Sequence, residues 1–415
     1  MAAPIGMKRF AWLLAVAACG GNGSSTGGPD ASSGGDDSGS DGVDAAMVDG
    51  ATGDAAVMPP SGFDFDGSEM TICDGAFHAP TLVAAEDRFV VGCMPSGSQN
   101  VIPTVKFLTQ GGAPVGEVSL LTSDGYYYKE SRLTHHDGKF QVVYEYNCDD
   151  NGSWLVGWGW GCIELRELDD TGDQIVALQF GETGHNGHPV LDGHDDELGI
   201  GWVSYDDAYF RRLGADRELV DGRGANLLLG PDPLQSDARS AARTQIAWDG
   251  DGYGVFTIIG THLYFSRVEM ADNVPVAMKD LGPAYSQTFS GELSAVSVGG
   301  TYYVAYDDTT SVKLANVDRN GDIVKAVTVQ AGAYHQPQLV AAAGRFYVVT
   351  EDAGGRGYVT VFDGNLDKIE GSMIGGGLGR LMKYPTLAVD GSTWVIAYQD
   401  GQGGSVKLQR LVPLP

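Results

Sequence analysis

The chain has 415 residues and a formal net charge of −28 at neutral pH, which sets it against phosphate-rich partners. Nucleic acid and anionic headgroups both call for clustered Lys and Arg. Its 61 glycines and weak helical periodicity favour strands and turns, and no apolar run of about 18 residues follows the leader, so no helical membrane span is expected there. The carboxylate surplus reads first as a solvated surface; a cationic or calcium-linked partner is the sharper alternative.

Residues 1–18 read as a processed leader. Lys8 and Arg9 form a basic start, and residues 10–18 are a short apolar run ending in Val16-Ala17-Ala18-Cys19. This ending resembles the lipobox of bacterial lipoproteins. The resemblance covers only residues 1–19. It implies a signal peptide cleaved before Cys19, a diacylglycerol thioether on that sulfur, acylation of the new amino end, and a place in the cell envelope. Gly20 fits sorting to the outer membrane, with the protein periplasmic or surface-exposed. Residues 19–60 hold Gly, Ser, Ala, Thr and Asp with little to bury. Such composition predicts a disordered tether with a root-mean-square span of roughly 35 Å. Residues 61–415 remain as the folded domain.

From Pro80 onward one phrase is repeated with variation, most clearly as Pro385-Thr-Leu-Ala-Val-Asp-Gly-Ser-Thr-Trp-Val-Ile-Ala-Tyr398. Seven copies share an apolar anchor: Leu82, Leu133, Leu191, Ile246, Ala295, Leu339 and Leu387. Seven residues later stand Phe89, Phe140, Leu198, Tyr253, Tyr302, Phe346 and Trp394. Four further on stand Cys93, Tyr144, Trp202, Thr257, Tyr306, Thr350 and Tyr398. Turn formers separate anchor from partner: Asp137-Gly138, Asp192-Gly193, Asp249-Gly250, Gly299-Gly300, Gly344 and Asp390-Gly391. Two short apolar runs joined in this way predict a β-hairpin. Pro80, Pro189, Pro337 and Pro385 precede their anchors by two residues, which suits the first residue of a strand.

Two further strands follow in most copies. Residues 311–317 and 323–329 flank the turn Asp318-Arg-Asn-Gly-Asp322, and residues 163–168 and 174–180 flank Asp169-Asp-Thr-Gly-Asp173. The anchors recur at spacings of 51, 58, 55, 49, 44 and 48 residues. Four strands per repeat of that length predict an all-β fold, a seven-bladed β-propeller of four-stranded blades. One blade cannot cover both its faces, so neighbours must stack around an axis. A six- or eight-bladed ring, an open solenoid and paired sandwiches are the alternatives. The last copy ends after its third strand, near residues 405–411, while a spare strand-like segment, residues 63–72, precedes the first copy. Pairing the two would close the ring and protect a sheet edge.

Besides Cys19 the chain has Cys73, Cys93, Cys148 and Cys162. An even number in an exported chain predicts disulfides. Of the three pairings, the sequence-local one is favoured: Cys73–Cys93, stapling the closing strand to blade one, and Cys148–Cys162, closing a loop of blade two. The spacings match no common zinc pattern.

In propellers, the loops leading into the innermost strands share a face with the loops joining second and third strands. By analogy of fold, that face is where a ligand is expected. The first set of loops here holds Tyr126, Tyr127, Tyr128, Glu130, His185, His188, Arg243, Glu292, His335 and Tyr384; the second holds Asp206, Asp207, Asp307, Asp308, Glu351, Asp352 and Asp400. Residues 148–162 carry Trp154, Trp158 and Trp160, three of the seven tryptophans. On a strand Trp158 and Trp160 point the same way. Beside Tyr127 and Tyr128 they can stack on sugar rings or anchor a protein partner; packing on the next blade is the competing role. His188 and His335 also read as turn residues near prolines, and His135-His136 as a solvated hairpin turn.

Enzyme signatures are scarce. Gly-x-Ser-x-Gly, His-Glu-x-x-His and the phosphate-cradling Gly-rich loop do not occur. The turns at Asp169 and Asp318 depart from the Ser-x-Asp-x-Gly-x-x-Trp turn of sialidase propellers. A carboxylate pair for glycoside cleavage would come from Glu130, Glu292, Asp308 and Asp352, at separations of roughly 5–10 Å. Asp249-Gly-Asp-Gly252 and Asp318-Arg-Asn-Gly-Asp322 offer alternating oxygens but lack the full calcium loop with its terminal Glu, and read as hairpin turns. No cofactor and no metal are expected. The sequence therefore points to a lipid-anchored, extracytoplasmic, monomeric propeller that binds a glycan or protein through its loop face without catalysis. The alternative is a polysaccharide hydrolase or lyase working at the channel mouth. No nucleic-acid partner is expected, and membrane contact is through the lipid only.

Overall fold

A computed structural model describes residues 62–414 except positions 76–78, 86, 95–102, 121–127, 148–160, 185, 195–196, 205–206, 219, 221–226, 229–240, 270–275, 277, 286–292, 309, 333, 353, 375–380 and 402–403. They belong to one compact unit, Val57–Pro415. The chain enters through β1 (Gly62–Cys73). Blade one is β2 (Thr81–Ala85), β3 (Arg88–Cys93), β4 (Thr104–Thr109) and β5 (Pro114–Ser119). Blade two is β6 (Tyr128–His136), β7 (Lys139–Asn147), β8 (Gly161–Leu168) and β9 (Gln174–Gly184). Blade three is β10 (Asn186–His194), β11 (Glu197–Ser204), β12 (Asp207–Leu213) and β13 (Leu227–Leu228). Blade four is β14 (Ala241–Trp248), β15 (Gly252–Ile259), β16 (His262–Glu269) and β17 (Lys279–Pro283). Blade five is β18 (Leu293–Val298), β19 (Thr301–Asp307), β20 (Ser311–Val317) and β21 (Ile323–Ala331). Blade six is β22 (Tyr334–Ala342), β23 (Arg345–Asp352), β24 (Gly357–Phe362) and β25 (Lys368–Met373). Blade seven is β26 (Lys383–Asp390), β27 (Thr393–Gln399) and β28 (Val406–Leu414), completed by β1.

Each blade is an antiparallel meander, and the first strand of every blade touches the first strand of the next, from β2 round to β26 and back to β2. The fold is a seven-bladed β-propeller. Its closure is the one expected. β1 pairs antiparallel with β28 from Gly62↔Leu414 to Cys73↔Val406. Cys73 is disulfide-bonded to Cys93, so the closing strand is stapled to blade one. Ile72, Leu82, Phe89, Val395 and Leu408 share one buried cluster across this seam.

The repeat frame is a packing rule. Every residue at the seven-later and eleven-later positions is buried, none more than 6% exposed. All seven anchors line the central channel. In blades four to seven the seven-later residue also packs toward the preceding blade, against the residue that follows that blade's own partner. Tyr303 meets Phe346 with ring centroids 4.0 Å apart, and Tyr347 meets Trp394 at 4.5 Å. Where the large ring is a tyrosine of blade four or five, its neighbour is glycine. A Cβ at Gly199 would come within 2.6 Å of Tyr253, and one at Gly254 within 2.5 Å of Tyr302. Volume is thus exchanged across junctions so that the interface stays close-packed.

Three local expectations are corrected. Asp192-Gly193 is strand, not turn: both lie in β10, which pairs Gly193 with Leu198. His135 and His136 likewise belong to β6. The turn there is Asp137-Gly138, with φ of 52° and 65°, the left-handed pair that a tight hairpin requires. Pro189, Pro337 and Pro385 do not open strands. They sit inside β10, β22 and β26 at irregularities of the ladder, between Gly187/Val190, His335/Gln338 and Lys383/Thr386. At a bulge the missing N–H is harmless, because the residue is already out of register with its partner.

Candidate functional site at the channel mouth

The innermost strands enclose a channel of about 700 Å³, lined by all seven blades. Strand direction fixes its two ends. The tight hairpins after the innermost strands lie at the lower end. The loops leading into the innermost strands lie at the upper end with those joining second to third strands. Within the channel, side chains bridge neighbouring blades that share no backbone ladder. Ser294 Oγ accepts from the Leu339 N–H at 3.0 Å, Gln338 Oε1 accepts from Leu387 N–H, and Asp192 Oδ2 accepts from Trp248 N–H at 2.7 Å. Burial pushes the Asp192 carboxyl up to about 6, against the pull of the Trp248 and Gly193 N–H groups and His136.

In sequence the position three before each anchor holds Ala79, Glu130, His188, Arg243, Glu292, Gln336 and Tyr384; among the described residues Ala79, His188, Arg243, Gln336 and Tyr384 set the upper rim, with Glu130 placed as backbone only. On a frame otherwise repeated, these seven positions carry seven side chains of six different chemistries. His188, Gln336 and Tyr384 have positive φ of 54°, 60° and 53°, and each is followed by proline. Left-handed backbone at such residues costs on the order of 1–3 kcal/mol and concentrates at functional positions. Gln336 and Tyr384 line the channel. His188 Nδ1 contacts the Arg243 guanidinium of the next blade, and Arg243 is only 3% exposed.

The other sequence candidates divide. Trp154, Trp158, Trp160, Tyr127, Glu292, Cys148 and Cys19 lie outside the described residues. Tyr128 and Glu130 are placed only as backbone at the upper end of β6, and His335 only as backbone of β22, paired with Glu351. Cys162 is buried and disulfide-bonded; among the described residues, Cys73 and Cys93 are paired with each other. Asp308 and Asp352 are placed in full, and both organise their own loops. Asp308 Oδ1 accepts from the Thr310 and Ser311 N–H groups at 3.0 and 2.8 Å, and Lys313 Nζ lies 3.3 Å from Oδ2. Asp352 Oδ1 accepts from the N–H groups of Gly354 and Arg356, at 2.9 and 2.8 Å. Its Oδ2 accepts from Arg356 Nε at 2.7 Å. Burial pushes both carboxyls up, but these donors outweigh it and hold them below the usual range. Among the described residues no three His, Cys, Asp or Glu side chains gather as a metal site. Asp318 Oδ1 is occupied by the N–H groups of Asn320 and Asp322 at 2.9 and 2.8 Å, as the turn reading expects.

No protein-family profile and no curated protein matches this chain. Solved structures do match in fold. One is BBS1N in complex with ARL6DN, at 9% identity and a TM-score of 0.50, covering 85% of this chain and 97% of that one. A second is the WD40 domain of Toxoplasma gondii coronin, at 11% identity and 0.50, covering 85% and 89%. A third is the polysaccharide lyase Uly1, at 10% identity and 0.50, covering 85% and 100%. At such identities the likeness concerns the propeller alone.

Sequence reading missed Glu145, Gln336 and the placement of Asp192. Aligning the copies on their anchors finds the first two, since both fall at fixed offsets. Asp192 was hidden because Asp-Gly is the commonest hairpin signal, and here the chain runs on as strand beyond it.

Proposed function

We propose that this chain is a lipid-anchored, extracytoplasmic binding module that takes a glycan or a protein on the upper face of its propeller, without catalysis. The observation that carries the reading is the rim itself: a rigid repeated frame presents chemically different residues at one equivalent position per blade. Such a surface suits recognition by many modest contacts around one or two aromatic anchors. The placed carboxylates Asp308 and Asp352 support it further, because each is held ionised by its own loop and neither is poised as a general acid. The lipid anchor on Cys19 fits the same picture. β1 runs from the lower end at Gly62 to the upper end at Cys73, so Gly62 lies at the face opposite the rim. BBS1N in its complex with ARL6DN is an instance of a propeller with a protein partner.

The test is a glycan-array screen of the Val57–Pro415 unit with detection of released sugar. Binding without release, abolished in Trp158→Ala/Trp160→Ala at unchanged thermal stability, is the expected result. Lost stability with no binding phenotype would assign those rings to packing. Labelling cells with a radioactive fatty acid should mark the full chain and fail to mark Cys19→Ala.

One observation favours a second reading, a polysaccharide lyase or hydrolase at the mouth. His188 and Arg243 form a contact that could serve proton abstraction beside a carboxylate-bearing sugar, and Uly1 is a polysaccharide lyase of like fold. Release of unsaturated or reducing sugar, lost in His188→Ala, would put this reading first.

A further inference from the structure

The seven blades fall into two classes that local sequence alone does not explain. In blades one, three, six and seven the rim residue is followed by proline: Ala79-Pro80, His188-Pro189, Gln336-Pro337 and Tyr384-Pro385. In blades two, four and five it is Glu130, Arg243 or Glu292, with no proline. The class of each blade is matched by one residue in the blade before it, twelve positions after that blade's anchor. Ahead of the proline blades this residue is Gln399, Glu145, Asp307 and Glu351; ahead of the others it is Met94, Val203 and Ile258. All seven are buried, none more than 9% exposed. The correspondence holds at every junction.

The geometry gives the reason. Arg243, in a blade without proline, stays in the ladder opposite Ile258, beside an irregularity between Ala241 and Arg243; in blade two, also without proline, the ladder is irregular between Tyr128 and Ser131. His188, Gln336 and Tyr384 have left the ladder at their bulges and turned left-handed. A buried N–H thrown out of a ladder must find another acceptor. Tyr384 N–H donates to Glu351 Oε2 at 3.0 Å, across the junction from blade six to blade seven. At the junction from blade two to blade three, Glu145 Oε2 presses so closely on the strand that a Cβ at Gly187, next to His188, would lie 3.0 Å from it.

We infer that Glu351 is a positioning residue, latching left-handed Tyr384 through its backbone N–H and so fixing where that side chain stands at the mouth, and that Glu145 and Asp307, at the same place before left-handed His188 and Gln336, serve the same end. The buried acids beside the channel are therefore occupied in holding the rim. This stands whether the face binds or catalyses. Among the described residues it separates a latched set, His188, Gln336 and Tyr384, from the unlatched Arg243.

The chain carries the controls for its own test. Glu351→Gln keeps an acceptor oxygen; Glu351→Met installs the residue blade one has at that place. Hydrogen exchange of the Tyr384 amide is the readout, with exchange in the lower hairpins as reference. Glu351→Met should speed exchange at Tyr384 roughly tenfold or more, as expected for loss of a charge-assisted bond, and leave the lower hairpins unchanged. Glu351→Gln should stay near the parent. Adding Pro385→Thr to Glu351→Met copies a proline-free blade, lets residue 384 return to the ladder, and should restore protection. Unchanged exchange in Glu351→Met, or Glu351→Gln behaving like Glu351→Met, overturns the inference. If Glu351→Met does not fold, folding of the double variant supports the latch, and failure of both variants overturns it.

Discussion

The two ends of this propeller are built from the same strands but are tied together differently. At the lower end one device is copied. Asp169, Asp318 and Asp363 each use Oδ1 to accept from the backbone N–H groups two and four residues on, at 2.8–2.9 Å in every case. Neighbouring blades are then tied by ion pairs. Asp249, its side chain wholly buried, accepts from Arg267 Nε at 3.0 Å and from the Tyr302 hydroxyl of the next blade at 2.7 Å. Arg319 of that same blade approaches it at 3.1 Å. At the upper end the same Oδ1 device recurs at Asp352, but the rim residues differ, and Glu351 accepts from the backbone N–H of the next blade's rim residue. The contrast shows where the sequence is constrained by ring assembly and where it is open to selection for a ligand.

The largest effect should come from breaking the lower end at its most buried charge. Asp249→Ala leaves Arg267, which is 4% exposed, with only the half-exposed Glu269 and the exposed Asp251 as partners, and removes the Tyr302 bond. Truncating one partner of a buried pair costs about 3–5 kcal/mol, so urea unfolding should show a large loss. Burial pushes the Asp249 carboxyl up, but Arg267 and Tyr302 outweigh it and hold it below 3.8. Its contribution is therefore present above that pH and fades as pH falls below it. An unfolding midpoint within experimental error of the parent would show that the lower end is not tied through this residue.

The upper end has its own staple. Cys73→Ser with Cys93→Ser opens a bridge of sequence separation 20, for which chain entropy gives about 2–4 kcal/mol. The loss should concentrate in β1 and β28, where exchange should quicken first, since the bridge closes the ring and touches no other blade pair. Uniform loosening of all blades would count against the closure as a local seam.

Asp192 lies on the wall between the two ends. Its carboxyl stands at about 6 in the fold against 3.8 for the free group. The native state thus holds a proton that the unfolded chain has released, and stability falls as pH rises from near 4 through 6. Asp192→Asn should flatten that fall, worth about 1–3 kcal/mol at most, while the parent loses it. Equal slopes in the two proteins would mean that the channel wall is wetter than its burial implies.

These contrasts mark what sequence could convey. Anchors and partners were legible because apolar residues at a fixed period have one job, and even the closing strand showed itself as an unpaired remainder near Phe63. The rim was legible only as a set of loops. Pro189 looked like a strand opener because proline's lack of a donor is the same fact at a strand start and at a bulge. Glu145 drew no notice as a strand residue and Asp307 looked like part of a ligand-facing loop, since what they hold lies in the next blade and a single copy of the repeat does not contain it.

The smallest expected effect sharpens the comparison most cheaply. Lys325 Nζ reaches Asp367 at 2.7 Å and the Asn365 carbonyl at 2.6 Å, tying blade five to blade six as Arg319 ties blade five to blade four. Connectivity alone would rank the two alike. Yet the Lys325 and Asp367 side chains are 41% and 73% exposed, whereas Asp249 is closed off from water. An exposed pair gives up little hydration and gains little attraction, so Lys325→Ala should shift stability by no more than about 0.5 kcal/mol, and added salt should erase even that. If Lys325→Ala instead approached Asp249→Ala in cost, burial would not be what distinguishes the ties between blades, and the lower end would owe its strength to the number of cross-blade contacts.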